Sequence, residues 1–412
     1  MLSTGPLSRP AFRRFYLAKL WCNLGAALQG FATVWLMASS SPAALDIALV
    51  QTLASAPLLL LTLPAGVLAD LLDRATLLFW VHGGIALLAL LVGLAALQLA
   101  LPVSGLLMLS ACSGIATALL LPVWQACVAG QVEAEELPEL ALLNNLSFNA
   151  AALLGPAIGA LLLGHLGSSR GAAWLYLLHA LLSLPMLACC WRARRLSGRP
   201  GPSAQRLVRA LGSGLRTAWS DASYRQLLGC SLPVFAACSA LPSLLPLLVR
   251  DVLHGRAGLL GSLQLAMGSG AVLVGLTLPA LRRQWRVPST LPGLALLLYG
   301  LALLGLVLAP SLPLRLACMV AAGMAWAIIV SAANAQAQAA FGERLRARTL
   351  ALYLMAVAAG QTLGSLGWGL LAERAGAINT LVLAAIALIA MAASGSSPLT
   401  RARPLKPPTV TA

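Results

Sequence analysis

Charge is what this chain has least of: only 9% of its 412 residues are Asp, Glu, Lys or Arg, against roughly a quarter in a soluble domain. With 60% hydrophobic residues, the apolar excess is too large to hide in one globular core, which excludes a soluble enzyme. Lysine is scarcer still. Lys19 and Lys406 are the only two and neither follows a glycine, so a phosphate-cradling loop of the Walker type is absent and ATP hydrolysis is not expected. The eight cysteines fall inside apolar runs without C-x-x-C spacing, which argues against a disulfide framework or a zinc site and reads as small apolar packing. No constellation for hydrolysis, metal binding or cofactor attachment is present. The chain is expected to be no enzyme and to carry no cofactor or metal.

What is there is a series of apolar runs. About 20 apolar residues cross roughly 30 Å of hydrocarbon, and windows bounded by Pro, Gly and charge place spans at 15–39, 45–69, 76–100, 103–129, 139–164, 172–190, 224–249, 258–281, 290–309, 314–338, 349–371 and 378–395. The expected fold is an all-α polytopic membrane protein of twelve transmembrane helices. These form an N-terminal six-helix bundle (1–190), a basic linker (191–223), a C-terminal six-helix bundle (224–396) and a tail (397–412). Arg9, Arg13 and Arg14 before the first run give a signal-like charge order, but that run is too long and is followed by many more, so it stays attached as the first span.

The formal charge of +16 would suggest nucleic-acid binding in a soluble protein. Here the cations sit between the spans. With the N-terminus placed in the cytoplasm, 22 Lys and Arg fall inside and five (Arg170, Arg250, Arg256, Arg315, Arg374) outside. That asymmetry follows the positive-inside rule, sets both termini and the linker in the cytoplasm, and removes the nucleic-acid reading.

The halves look like copies. The connection from Glu133 to Glu139 before the fifth span has a counterpart from Phe341 to Arg348 before the eleventh, and Gly155-x-x-x-Gly159 is matched by Gly360-x-x-x-Gly364. Small residues four apart share a helix face and let another backbone approach, as transporter repeats require.

Between the second and third spans runs Pro64-Ala-Gly-Val-Leu-Ala-Asp-Leu-Leu-Asp-Arg74. A glycine admits close helix contact, and a carboxylate at a helix end can latch a partner helix through charge and unpaired N–H groups. The plain alternative is a solvated turn of mixed charge. The string resembles the signature loop of the major facilitator superfamily at Gly66, Leu68, Ala69, Asp70 and Arg74, and departs from it at Leu71, Asp73 and Ala75. The resemblance implies a gate built on Gly66, Asp70, Asp73 and Arg74. In the fifth span, Gly155, Pro156 and Gly159 resemble the antiporter motif of that superfamily, with Ala151 and Ala160 in place of its outer glycines. A proline there kinks the helix and the glycines let the kink press on a neighbour, which is compatible with simple close packing.

Nearly the whole chain is similar to the enterobactin-exporter and macrolide-efflux branch, through Phe12-Arg-Arg, Asn23-Leu-Gly25, Leu142 to Asn149, Leu245 to Leu253, Leu352-Tyr353 and Gly364-Ser365. The resemblance implies a two-bundle carrier that exports small molecules by alternating access, usually against protons, in a bacterial inner membrane. Two positions where that branch commonly has intramembrane arginines hold Trp124 and Ala152, which implies a more apolar cavity. The expected cargo is a small organic molecule, a siderophore-like metabolite or lipophilic drug. An importer or lipid flippase is the alternative within transport, and a non-transporting scaffold or receptor the alternative outside it.

Helical spacing pairs Asn145 with Asn149 and Asn334 with Gln338 on one face each. With Gln29, Gln51, Trp124, Gln264, Tyr353 and Gln361 they are the candidates for the cavity lining, the plain alternative for each being an interhelical hydrogen bond. Proton-coupling candidates are Asp46, His82 and His179. Asp46 can equally cap the second span, and a lone histidine in an apolar run is commonly a hydrogen-bonded packing residue. Lys19 is expected to snorkel to the cytoplasmic headgroups. Partners are the substrate, the bilayer and protons, and a monomer is expected.

Overall fold

The computed structural model describes residues 5–98, 101–129, 131–133, 136–194, 221–284, 290–339 and 343–394. The tail 397–412 and all but the ends of the linker 191–223 lie outside the described residues. In hydrocarbon the backbone must satisfy its own hydrogen bonds, so apolar runs of this length fold as helices. They are α1 (Pro10–Ser40), α2 (Ala44–Leu71), α3 (Arg74–Gln98), α4 (Val103–Ala129), α5 (Leu137–Leu166), α6 (Ser168–Arg194), α7 (Ala222–Cys238), α8 (Ala240–Leu247), α9 (Ala257–Gln284), α10 (Leu291–Leu308), α11 (Leu312–Ala339) and α12 (Glu343–Ser394).

Local chemistry sets several boundaries. Pro10 opens α1, where its missing N–H costs nothing. Asp73 Oδ2 accepts from the Thr76 N–H at 2.7 Å to start α3, and Asp221 Oδ1 does the same for Tyr224 at 2.8 Å to start α7. Gly167 ends α5 at φ 81, which only glycine adopts without strain.

Among the described residues eleven stretches are long and apolar enough to cross a membrane. One of them, Tyr224–Val252, joins α7, α8 and a π-helical turn at Leu248–Val252. The last covers Leu350–Ser394 and contains both 349–371 and 378–395 of the sequence expectation. At about 1.5 Å per residue the 52 residues of α12 are far too long for one crossing. It breaks at Gly376 (φ 79, ψ 163): residues before the break pack on α7 and residues after it on α10.

Contacts divide the described chain into two compact units. The first holds α1, residues 61–71 of α2, α3 to α6 and residues 255–262; the second holds residues 43–60, α7, α8, residues 263–284 of α9, and α10 to α12. In the first unit α6 packs on α1, α3 and α5. Its core gathers Phe12, Tyr16, Cys22, Leu78, Val123, Trp124 and Met186. Large apolar side chains also point outward, with Leu60, Leu276 and Leu308 about 70% exposed (70%, 70% and 72%), as a surface in contact with lipid requires.

Candidate functional site

Within the first unit, α1 lies along α5 in parallel. The Tyr16 hydroxyl donates to the Leu143 carbonyl at 2.8 Å and the Asn23 amide donates to Ser147 Oγ at 2.9 Å. One and two turns further on, Gly155 lies against Ala27 and Gly159 against the Phe31 ring. A Cβ on Gly155 would sit 2.5 Å from that of Ala27. The second unit repeats this packing: Gly360 lies against the Leu232 carbonyl, and Gly364 against the Ala236 carbonyl and Ser239 Oγ. The pairs Ala27–Gly155, Phe31–Gly159, Leu232–Gly360 and Ala236–Gly364 are each 128 residues apart, so one helix pairing has been built twice.

Deeper along α1, Gln29 sits in a closed polar network. Ser113 Oγ gives its proton to the Leu109 carbonyl at 2.8 Å, so it can only accept from Gln29 Nε2, also at 2.8 Å. That leaves Gln29 Oε1 facing His179 Nδ1 at 2.7 Å, and His179 must donate there. The absence of a side chain at Gly25 admits the His179 ring. Thr33 and Tyr176 hydroxyls lie 3.1 Å apart on the next turn. His82 is likewise buried, with Nδ1 3.1 Å from the Leu78 carbonyl.

Lys19 meets an aromatic ring. It is partly buried, and its Nζ lies 5.2 Å from the centre of the Trp124 ring, whose negative face attracts it. Trp124 stacks on Phe15 with centroids 4.9 Å apart and donates its indole N–H to Asn144 Oδ1 at 3.2 Å. Burying a cation mid-helix costs about 2.5–3.5 kcal/mol on insertion scales, more than the ~0.5–2 kcal/mol of a cation–π contact. Asn144 was not among the expected lining residues. Its signal was available: Asn144 and Ser147 share a face of α5, as Tyr16, Lys19 and Asn23 share one of α1. The Asn145 side chain lies outside the described residues.

The remaining candidates differ in burial. Gln51, Asn149, Gln264, Asn334 and Gln361 are partly buried, Gln338 is exposed, and Tyr353 is fully buried on α12. In the gate motif a Cβ on Gly66 would meet nothing within 4 Å, Asp73 caps α3, and Arg74 is exposed. The Asp70 side chain lies outside the described residues.

Two seams engage the exchanged helix ends. In the second unit Leu45 N–H donates to Glu373 Oε2 at 2.7 Å, Ala48 packs on Gly369, and the Ser55 and Thr362 hydroxyls lie 2.9 Å apart. Asp46 stands in the same first turn of α2. In the first unit Gly261, at the start of α9, packs on Ala160 and the Pro156 carbonyl of α5.

The family described as transmembrane secretion effector, of the major facilitator type, matches residues 2–403. No curated protein sequence matches the chain. Solved structures share its fold. A POT family transporter in complex with a thioalcohol-conjugated peptide superposes with TM-score 0.71 at 13% identity, over 93% of this chain and 94% of that one. A bacterial homolog of the human lysosomal transporter Spinster, in an inward-facing and occupied conformation, gives 0.70 at 16%, over 95% and 98%. The nucleoside transporter NupG gives 0.68 at 12%, over 94% and 98%.

Proposed function

The chain belongs to the transmembrane secretion effector family of major facilitator transporters, and we propose that it is a secondary carrier exporting a small organic molecule across a bacterial inner membrane by alternating access. In this reading α12 counts as two spans divided at Gly376, giving twelve spans in two six-helix repeats with both termini cytoplasmic. The observation that supports it is the pair of seams, α2 on α12 and α9 on α5. Each joins small residues, a packing that lets a helix contact part and re-form. The parallel pairings of α1 with α5 and of α7 with α12, closed by glycines, are the rigid halves that would rock.

Uphill export without ATP needs an ion gradient, and protons are the proposed coupling ion. Asp46 is the leading carrier of that proton because it is a carboxylate at the start of a span, with His82 and His179 behind it. The cargo is a metabolite of siderophore type or a lipophilic drug, and the gate motif around Asp70 is proposed to hold the outward-facing state.

The test is efflux of lipophilic fluorescent dyes from loaded proteoliposomes under an imposed pH gradient. Wild-type efflux should follow the gradient and collapse with a protonophore. Asp46→Asn should uncouple it more than His82→Gln or His179→Gln, and Asp70→Asn should stop it while leaving insertion intact. Wild-type flux indifferent to the gradient would remove proton coupling and the role of Asp46 together. Reporter fusions after Pro202 and at Ala412 should be active only as cytoplasmic markers.

A further inference from the structure

Lys19 stands more than two turns into α1, inside the first apolar span. Among the described residues the side chains around it are apolar or uncharged. Phe12, Tyr16, Cys22, Val123, Trp124 and Leu140 form the cluster it enters, and His82 is the titratable neighbour on α3. Among the described residues no carboxylate lies within ion-pair distance of its ammonium group. A cation in such a place keeps a residual demand for a counter-ion that the Trp124 ring does not meet.

What lies next to it is suited to an organic anion. Asn144 spends its Oδ1 on the Trp124 indole N–H, which leaves its Nδ2 donors beside the ring. Phe15 stacks on the buried Trp124 ring and leaves its own outer side apolar and part-exposed, and Lys19 and Asn144 are likewise only partly buried. Three helices of one unit, α1, α4 and α5, thus supply a cation, an amide donor and an aromatic face at one point. We propose that Lys19, Trp124 and Asn144 form an anion-recognition site, and that the cargo is an organic anion with an apolar, ring-bearing body. This deepens the carrier reading and rests on it. On binding, the anionic group takes the ammonium from the ring face and accepts from Asn144, while the apolar body lies on Phe15. A lipid phosphate offers the same charge, so the experiment separates the two sources.

The chain itself supplies the probe. Lys406→Arg leaves Lys19 as the only lysine, so acylation of Lys19 by a membrane-permeant amine reagent, read by mass spectrometry, reports its accessibility. The ligands are 1-naphthylacetate and its uncharged amide, 1-naphthylacetamide, in vesicles of phosphatidylcholine with and without phosphatidylglycerol. The acid should slow acylation of Lys19 in both lipid mixtures and the amide should not. Lys19→Gln should weaken naphthylacetate binding about tenfold, whereas Lys19→Arg should hold it within about threefold. Equal protection by acid and amide, or slowed acylation from phosphatidylglycerol alone, would overturn the proposal, the latter in favour of a lipid site. Should Lys19→Gln fail to insert, the acid-against-amide comparison on the Lys406→Arg chain still decides. Protection is an equilibrium reading: vesicles that protect Lys19 yet move no solute would sink the carrier assignment alone, and flux without protection would sink this site alone.

Discussion

Glu373 caps the start of α2 from another helix: its Oε2 accepts the Leu45 N–H at 2.7 Å. The first N–H groups of a helix have no partner within it, and the helix dipole favours a negative charge there. Partners along this seam run in opposite directions, Leu45 with Glu373, Ala48 with Gly369 and Ser55 with Thr362, so the contact is antiparallel and Glu373 closes its end. Glu373→Gln keeps an acceptor but removes the charge, a loss of about 0.3–1 kcal/mol, and Glu373→Ala removes both. A cysteine placed at Ala48, which is fully buried, should react with a thiol reagent fastest in Glu373→Ala, at an intermediate rate in Glu373→Gln and slowest in the parent. Equal rates in all three would show that Glu373 does not hold the seam.

The glycine pairs make a graded steric prediction. Leucine at Gly155 meets Ala27 and leucine at Gly360 meets the Leu232 carbonyl, so each substitution forces a helix apart at a cost of about 1–3 kcal/mol. Among the described residues a Cβ at Gly66 meets nothing within 4 Å, so leucine has no first contact to force apart there. Thermal midpoints in detergent should therefore fall for Gly155→Leu and Gly360→Leu and stay level for Gly66→Leu. Loss of flux in Gly66→Leu at unchanged stability would place its contact in another state of the cycle, as the gate reading requires. A lowered midpoint for Gly66→Leu would contradict the open space seen here.

Which parts of this were legible beforehand follows from what each signal depends on. Span positions depend on hydropathy over about 20 residues, and the helices fall close to the expected windows. The repeated Gly-x-x-x-Gly pairs were legible because small residues leave a mark in sequence whatever they touch. Their partners, Ala27, Phe31, Leu232 and Ala236, carry no mark, since any modest apolar residue serves. Snorkelling is the default expectation for a lysine near a span end, and the Trp124 ring that Lys19 meets, about a hundred residues away, is invisible to local pattern. Helical spacing paired Asn145 with Asn149, but which of two adjacent asparagines faces α4 depends on the rotation of α5, and Asn144 is the one bonded to Trp124. Glu373 falls between the expected spans 349–371 and 378–395, and its value comes from a seam between helices distant in sequence.

The Gln29 network sets an order among polar substitutions. Gln29→Leu removes two hydrogen bonds and strands the His179 N–H in a buried site, a loss of about 1–3 kcal/mol. Asn23→Ala removes one partly buried bond to Ser147, nearer the ~0.6 kcal/mol average for membrane helices. Unfolding in mixed detergent should show Gln29→Leu as clearly the less stable variant. The reverse order would mean that His179 finds another acceptor, and the tautomer assigned to it would fall.

The connection before α5 carries the acid sensitivity. Arg9 donates to Glu136 through Nη2 and to the Gln131 carbonyl through Nη1 at 2.8 Å, and the Glu133 N–H also donates to Glu136 at 2.9 Å. The Arg9 hydrogen bond first, and the Glu133 N–H second, hold the Glu136 carboxyl below the usual range, while the same contact raises Arg9. A carboxylate with a depressed folded pKa contributes fully above its unfolded value of about 4.3 and loses that contribution as pH falls through the folded value. Arg9 stays charged throughout, so Glu136 alone sets the window. Both groups are part-exposed at the edge of the described first unit and are reached by salt, so the effect is local rather than global. A nitroxide label on Gln131→Cys should stay immobile from neutral pH through the ordinary glutamate range and loosen only below it. In Glu136→Gln, and equally in Arg9→Ala, it should be mobile at every pH. Loosening that begins near pH 6 instead would point to a histidine as the titrating group and remove Glu136 from the role.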